Sequence, residues 1–226
     1  VELELEQLVV TTDIDELQKE EAAAQKSYFA VARELSLGRA KASTKMTKKV
    51  NAALAELAMS GVFFEAKLIP KVEPGLTGLE QVEFYVATNP GAEAKPVGKV
   101  ASGGELSRIS LAIQSVIYQD SAVPTVIFDE VDSGVGGAVA EVVGRMLKAV
   151  GKSAQVLCVT HLPQVAALAD SHWRVAKVQS ELLSSTRLQR LEDKECVDEI
   201  ARMLAGEVIS DQAKAHALEL IKLGAR

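Results

Sequence analysis

Two apolar runs separated by a helix's length of chain constrain this sequence more than any other feature. Thr125-Val126-Ile127-Phe128 and the stretch from Gln155 to Thr160 are nearly uninterrupted by charge, and Gly137 to Val150 lies between them with a helix-favouring composition. Continuous apolar runs belong to strands buried on both faces, and a strand–helix–strand order makes such strands parallel. The expected fold class is therefore α/β with a parallel sheet core. Each run ends in chemistry: Asp129-Glu130 follows the first and His161 follows the second. Ligands of open α/β sheets bind beyond the carboxyl ends of the strands, so these three side chains are expected at one sheet edge.

The rest of the chain divides by its punctuation. Before Gly61 there is one glycine, Gly38, and no proline, whereas all six prolines fall between Pro70 and Pro163. Asp13 to Ser60 is mostly Ala, Leu, Glu, Lys, Gln and Arg, which predicts one long helix. Leu17, Ala24, Tyr28, Val31, Leu35 and Ala42 follow each other at heptad-like intervals along it. Such a helix of ~45 residues would reach ~70 Å and has too few large apolar residues to form its own core. We therefore expect residues 1–60 to be a coiled-coil arm segment whose partner helix lies elsewhere, and 61–226 to be a separate lobe. Val1, Leu3 and Leu5 alternate and fit either a strand or the start of the arm. Past Gly61 the pattern predicts strands at Val62–Val72 and Gln81–Ala87 joined through Pro74-Gly75, and a loop to Lys99. A helix from about Gly104 to Tyr118 precedes the strand–helix–strand unit. After it come a short helix past Pro163, strands at His172–Val178 and Ser185–Leu191, and helices at about Asp193–Leu204 and Asp211–Leu223.

Four clusters carry the chemistry. Adjacent carboxylates at a strand end point in different directions. Asp129 can hold Mg²⁺ through water while Glu130 addresses a nucleophilic water, as phosphoryl transfer requires. Asp alone would also suit a simple strand-ending turn. Ser102-Gly103-Gly104-Glu105 reads as a capping box, Ser102 with Glu105, yet a cap needs no Gly-Gly in the first turn. Glycines there fit a close approach to the backbone, and a helix N-terminus suits a phosphate. His161 stands alone by sequence and gains interest only from sharing an edge with the carboxylates. Lys41, Lys45 and Lys48 share a helix face, within a stretch from Arg33 to Lys49 that holds six basic residues against the single acid Glu34. That face fits contact with DNA phosphates as well as a plain solvated arm.

Other readings fall away. Gly151-Lys152-Ser153 imitates the end of a phosphate-binding loop, but Met146 stands where its first glycine belongs and the order is helix then strand. No other segment supplies such a loop. Three histidines without Cys-x-x-Cys or His-x-x-x-His give no zinc site. Cys158 and Cys196 read as reduced thiols of a cytoplasmic protein, and no apolar run approaches the ~18 residues of a membrane span. A net charge of −6 and 4% aromatics exclude a chain-wide electrostatic grip on nucleic acid and a base-stacking platform as main mechanisms.

In order and spacing these clusters resemble the C-terminal half of an ABC/SMC-type ATPase head. Ser102-Gly103-Gly104-Glu105 looks like its signature motif, Val126 to Glu130 like the Walker B strand, Asp132 to Gly134 like the D-loop and His161 like the switch histidine. The longer strings VASGGELSRISLA, IFDEVDSGVGG and VTHLPQVAA resemble the RecN family of bacterial DNA repair ATPases. Ala101 stands where transporters usually have leucine, and transporters more often have glutamine at position 105.

The resemblance implies ATP sandwiched between two heads, with Mg²⁺ held through water by Asp129. Glu130 and His161 would then be catalytic. Ser102, Gly103, Gly104 and Glu105 would grip the nucleotide of the opposite head, and Asp132 would communicate across the interface. The implied partners are an N-terminal Walker A half of the same head, a second head in a homodimer, and DNA, with no membrane; the implied location is cytoplasmic and nucleoid-associated. The rival expectations are a non-hydrolysing dimerisation module on a coiled-coil arm and a transporter ATPase subunit.

Overall fold

A computed structural model describes residues 14–99, 103–117, 123–179, 184–206 and 208–224. The helix α1 (Ile14–Glu56) leads into strands β1 (Phe63–Gly75), β2 (Gly78–Ala87) and β3 (Lys95–Pro96). Helix α2 (Gly103–Ile117), strand β4 (Thr125–Phe128), helix α3 (Gly137–Gly151), strand β5 (Gln155–Cys158) and the short α4 (Pro163–Ala166) follow. Strands β6 (His172–Gln179) and β7 (Ser184–Leu191) and helices α5 (Asp193–Ala205) and α6 (Asp211–Gly224) close the chain. The sheets are three-stranded β1-β2-β3, parallel β4-β5 and antiparallel β6-β7. The alternating start at Val1, Leu3 and Leu5, and Tyr118 of the expected helix end, lie outside the described residues. Two compact units emerge: residues up to Thr47 with Glu65–Tyr85, and Lys48–Phe64 with Val86 onward.

In the first unit, α1 runs on a helix-favouring composition as expected, but the face it buries is not the heptad-like one. Leu17, Val31 and Leu35 are exposed, while Ala32 is buried and Tyr28, Arg39, Ser43 and Thr47 are half-buried. That second line meets the β1–β2 hairpin through polar contacts to strand backbone. The Tyr28 hydroxyl donates to the Gly75 carbonyl at 2.9 Å, and Arg39 Nη1 donates to that of Thr77 at 2.8 Å. Ser43 Oγ donates to the Ala66 carbonyl at 2.5 Å, while the Ala66 N–H donates to Thr47 Oγ1 at 3.3 Å. Short hydroxyls thus satisfy an outer strand edge that would otherwise be open to pairing. The expected turn at Pro74-Gly75 is displaced: β1 continues through both residues and the chain reverses at Leu76-Thr77. Gly78 supplies the backbone the reversal needs, at φ 90, where a Cβ would also come within 3.2 Å of Arg39 Nη1 and Leu35 Cδ2. The expected loop to Lys99 contains β3 and a 3₁₀ turn at Val97–Lys99, pieces too short to leave a periodic signal.

In the second unit, β4 and β5 pair in register from Thr125 opposite Gln155 to Phe128 opposite Cys158. Helix α3 packs against β5, α2 and α4, with Ala140, Val143, Leu147 and Val150 buried. The expectation of strands buried on both faces needs correction for this chain. Phe128 is buried, but Ile127 is 68% and Leu157 48% exposed, so among the described residues that face of the strands is left uncovered. Lys152 is the C-cap of α3, so Gly151-Lys152-Ser153 is a helix end leading into a strand. Helices α4, α5 and α6 share an apolar cluster of Ala166, Ala167, Ile200, Ala201, Ala217 and Leu220. No helix among the described residues is long and apolar enough to cross a membrane.

Strand β6 is tied to α5 by a buried carboxylate. Glu199 accepts from Arg202 Nη2 at 2.6 Å and Nε at 3.0 Å, and Arg174 Nη1 lies 3.6 Å away. The Arg202 hydrogen bond, which outweighs the burial that opposes it, holds the Glu199 carboxyl below its ordinary value of 4.5. Burial pushes the His172 imidazole below 6.5 against the pull of Glu199. Both groups bind protons more readily in the unfolded chain, so stability falls with pH in two windows. The first opens below about pH 6.5, as His172 must charge, and the second below about pH 4.5, as Glu199 is neutralised. Urea midpoints measured from pH 8 down to pH 3 should fall, and Glu199→Gln should flatten the lower window. A wild-type midpoint independent of pH would contradict this.

Candidate functional site

The parallel register sets the site. The backbone N–H of Val159 donates to the Phe128 carbonyl at 3.0 Å, so β4 and β5 release their chains side by side. Asp129, Glu130 and His161 therefore leave the same sheet edge, each within three residues of the end of its strand. Asp129 and Glu130 are exposed, and neither carboxylate has a hydrogen bond or ion pair among the described residues. Glu130 sits at φ 55, in the left-handed region that non-glycine residues seldom enter and that marks functional turns. A turn closes behind it, with the Ser133 N–H on the Glu130 carbonyl at 3.0 Å.

Asp132 is the buried member, 1% exposed. Its Oδ2 accepts from Thr160 Oγ1 at 2.5 Å and from the His161 N–H at 3.1 Å. His161 Nδ1 stands 3.4 Å from the same oxygen, while the ring itself is 73% exposed. This one carboxylate bolts the loop after β4 to the loop after β5. Neither Thr160 nor this duty of Asp132 was legible in the sequence, where Thr160 reads as the last residue of an apolar run.

The start of α2 reaches the same edge. A Cβ on Gly103 would come within 2.9 Å of Glu130 Oε2, and one on Gly104 within 2.9 Å of Ser133 Cβ. The close approach that the diglycine predicted is thus made by this chain's own acidic turn. Arg108, one helical turn on, donates from Nη1 to the Ser133 carbonyl at 2.5 Å, and its Nε is buried without a partner among the described residues. Sequence reasoning gave Arg108 no part, although its place three residues after the Ser-Gly-Gly-Glu string was a signal. Glu105 is half-buried in the first turn of α2, whereas Ser102, and with it the capping box, lies outside the described residues. Lys41, Lys45 and Lys48 are exposed along α1, remote in sequence from this edge, while Arg39 of the same basic stretch is engaged by Glu80 at 3.6 Å.

Asp129, Glu130 and Asp132 gather three carboxylates at this edge. Burial pushes the Cys158 thiol up to about 12, and the charges of Asp132 and Asp129 add to the shift. No group of three or more His, Cys, Asp and Glu among the described residues forms a metal cage. An exposed pair of carboxylates is a set that Mg²⁺ can use through its water, since that ion keeps most of its water and takes its remaining ligands from substrate phosphates.

No family model matches the chain. It is 44% identical over 193 residues to the DNA repair protein RecN of Xylella fastidiosa strain 9a5c, covering 84% of this chain and 35% of that protein. It is 35% identical over 221 residues to the DNA repair protein RecN of Rickettsia prowazekii, covering 96% of this chain and 40% of that protein. The chain thus spans little more than a third of the length of these relatives. The Smc head domain with a coiled coil and joint from Pyrococcus yayanosii shares the fold, with a TM-score of 0.58 at 18% identity over 82% of this chain and 34% of that one. With an SMC-type head fold and this degree of identity along most of its length, the chain belongs to the RecN family.

Proposed function

We propose that this chain is the Walker B and signature half of an SMC-like ATPase head acting in recombinational repair of DNA double-strand breaks. The observation that carries the proposal is the common edge of β4 and β5, where exposed Asp129 and Glu130 stand beside an imidazole backed by buried Asp132. Relatives that are DNA repair proteins and a fold shared with Smc heads support it. Residues 1–60 act as the arm segment and 61–226 as the lobe. The bare face with Ile127 and Leu157 is where an N-terminal Walker A half fits, since parallel sheets are covered on both sides.

In this reading Asp129 orders the water shell of Mg²⁺, whose role is to neutralise charge on the transferring phosphoryl group. Glu130 polarises the attacking water, and His161 contacts the γ-phosphate. Ser102, Gly103, Gly104 and Glu105 meet the nucleotide of a second head, and head closure couples ATP to the arms. The test is phosphate release with and without a Walker A-bearing N-terminal head segment. Turnover that depends on Mg²⁺ is expected only in the assembled head, with no micromolar ATP affinity in the chain alone. Micromolar binding by the lone chain, or no turnover after assembly, would overturn the reading.

DNA is the proposed partner of the Lys41, Lys45 and Lys48 face. Reversing all three charges should weaken DNA binding and reduce the log–log salt slope by up to about 3, because each phosphate contact contributes roughly 0.9. An unchanged affinity and slope would rule out that face.

A further inference from the structure

Resting on the ATPase reading above, we infer that Asp132 and Thr160 are positioning residues that act through His161, fixing which ring nitrogen bears the proton and where the ring points. Asp132 is 1% exposed, and a carboxylate is seldom so buried unless its oxygens are used. Its Oδ2 gathers the Thr160 hydroxyl at 2.5 Å, the His161 N–H at 3.1 Å and, at 3.4 Å, His161 Nδ1. Thr160 Oγ1 in turn accepts the Leu162 N–H at 3.0 Å, so the hydroxyl is held from both sides. The peptide that carries the imidazole is thereby clamped before the ring is considered.

An ionised carboxylate accepts and cannot donate. Facing one, Nδ1 of a neutral imidazole is favoured as the N–H, which leaves the Nε2 lone pair as the ring's free acceptor. Among the described residues the ring has no other hydrogen-bond or ion-pair partner, and it is 73% exposed. The separation of 3.4 Å is long for a hydrogen bond, and such contacts commonly tighten once substrate is bound. Asp132 thus selects a tautomer and a direction for a side chain that solvent alone would leave free to turn. This differs from communication across a head interface, which would require the carboxylate at the surface.

Two measurements test the inference separately from the ATPase reading. The first is a long-range proton–nitrogen spectrum of the histidine-labelled chain above pH 8, with the His161 signal identified by its loss in His161→Ala. Wild type should show the Nδ1–H tautomer, and Asp132→Asn, which removes the charge but keeps the shape, should shift it toward Nε2–H. The second is steady-state kinetics of the assembled head. Asp132→Asn should lower kcat about 10- to 100-fold, the scale seen for carboxylates that orient metal-binding imidazoles, with KM for ATP within about twofold. Thr160→Val should act in the same direction, and neither change should lower kcat further in a His161→Ala background. A wild-type Nε2–H tautomer, or an equal loss from Asp132→Asn with and without His161, would overturn the inference. If the assembled wild-type head hydrolyses no ATP, the ATPase reading fails, and the spectrum still decides the role of Asp132.

Discussion

Replacing Glu130 by glutamine should leave the assembled head folded and able to bind ATP while lowering turnover by about 10²- to 10⁴-fold, the range for losing a group that handles a proton in the transition state. The fold should tolerate the change because the Glu130 carboxylate is exposed and carries no hydrogen bond or ion pair among the described residues. Glutamine also has the same reach, so the contact with the start of α2 at Gly103 keeps its shape. What disappears is the charge that polarises water. Equilibrium ATP binding and steady-state phosphate release, measured on one preparation, check the two halves of this expectation. Phosphate release at the wild-type rate would remove Glu130 from the chemistry, and lost ATP binding would recast it as a structural residue.

The second large effect is on stability. Asp132→Ala should cost about 2 kcal/mol, because it leaves the half-buried Thr160 hydroxyl and the His161 N–H without their acceptor, at the lower end of about 1–3 kcal/mol for each such group. The loops after β4 and β5 share no other side-chain bolt of this kind among the described residues. Asp129→Ala, three residues away and exposed, is the matched control and should stay within about 0.5 kcal/mol. Urea denaturation of the two variants separates them. Similar midpoints for both would mean that the buried carboxylate does not hold the edge together.

Much of this architecture is readable from residue order, for identifiable reasons. The boundaries of β4 and α3 follow from apolar runs cut by Pro124 and Gly137, and α1 follows from the lack of proline over its length. The common edge of Asp129, Glu130 and His161 follows from parallel pairing alone. The buried face of α1 up to Thr47 was not readable, because its contacts with the hairpin are largely hydroxyl and guanidinium bonds to carbonyls, which leave no apolar stripe there. The open side of β4 and β5 was missed for a related reason: an apolar run reports that a strand is to be covered without saying which chain segment covers it. Thr160 and Arg108 escaped because their partners are reached only through three-dimensional proximity, Thr160 across 28 residues and Arg108 across 25.

The left-handed backbone at residue 130 has one more consequence. Asparagine, aspartate and above all glycine occupy that conformation more comfortably than a longer side chain does. Selection for thermal resilience alone would drift this position toward the smaller alternatives. A glutamate kept there marks a point where the molecule forgoes local ease in favour of a particular acid group held at a particular spot.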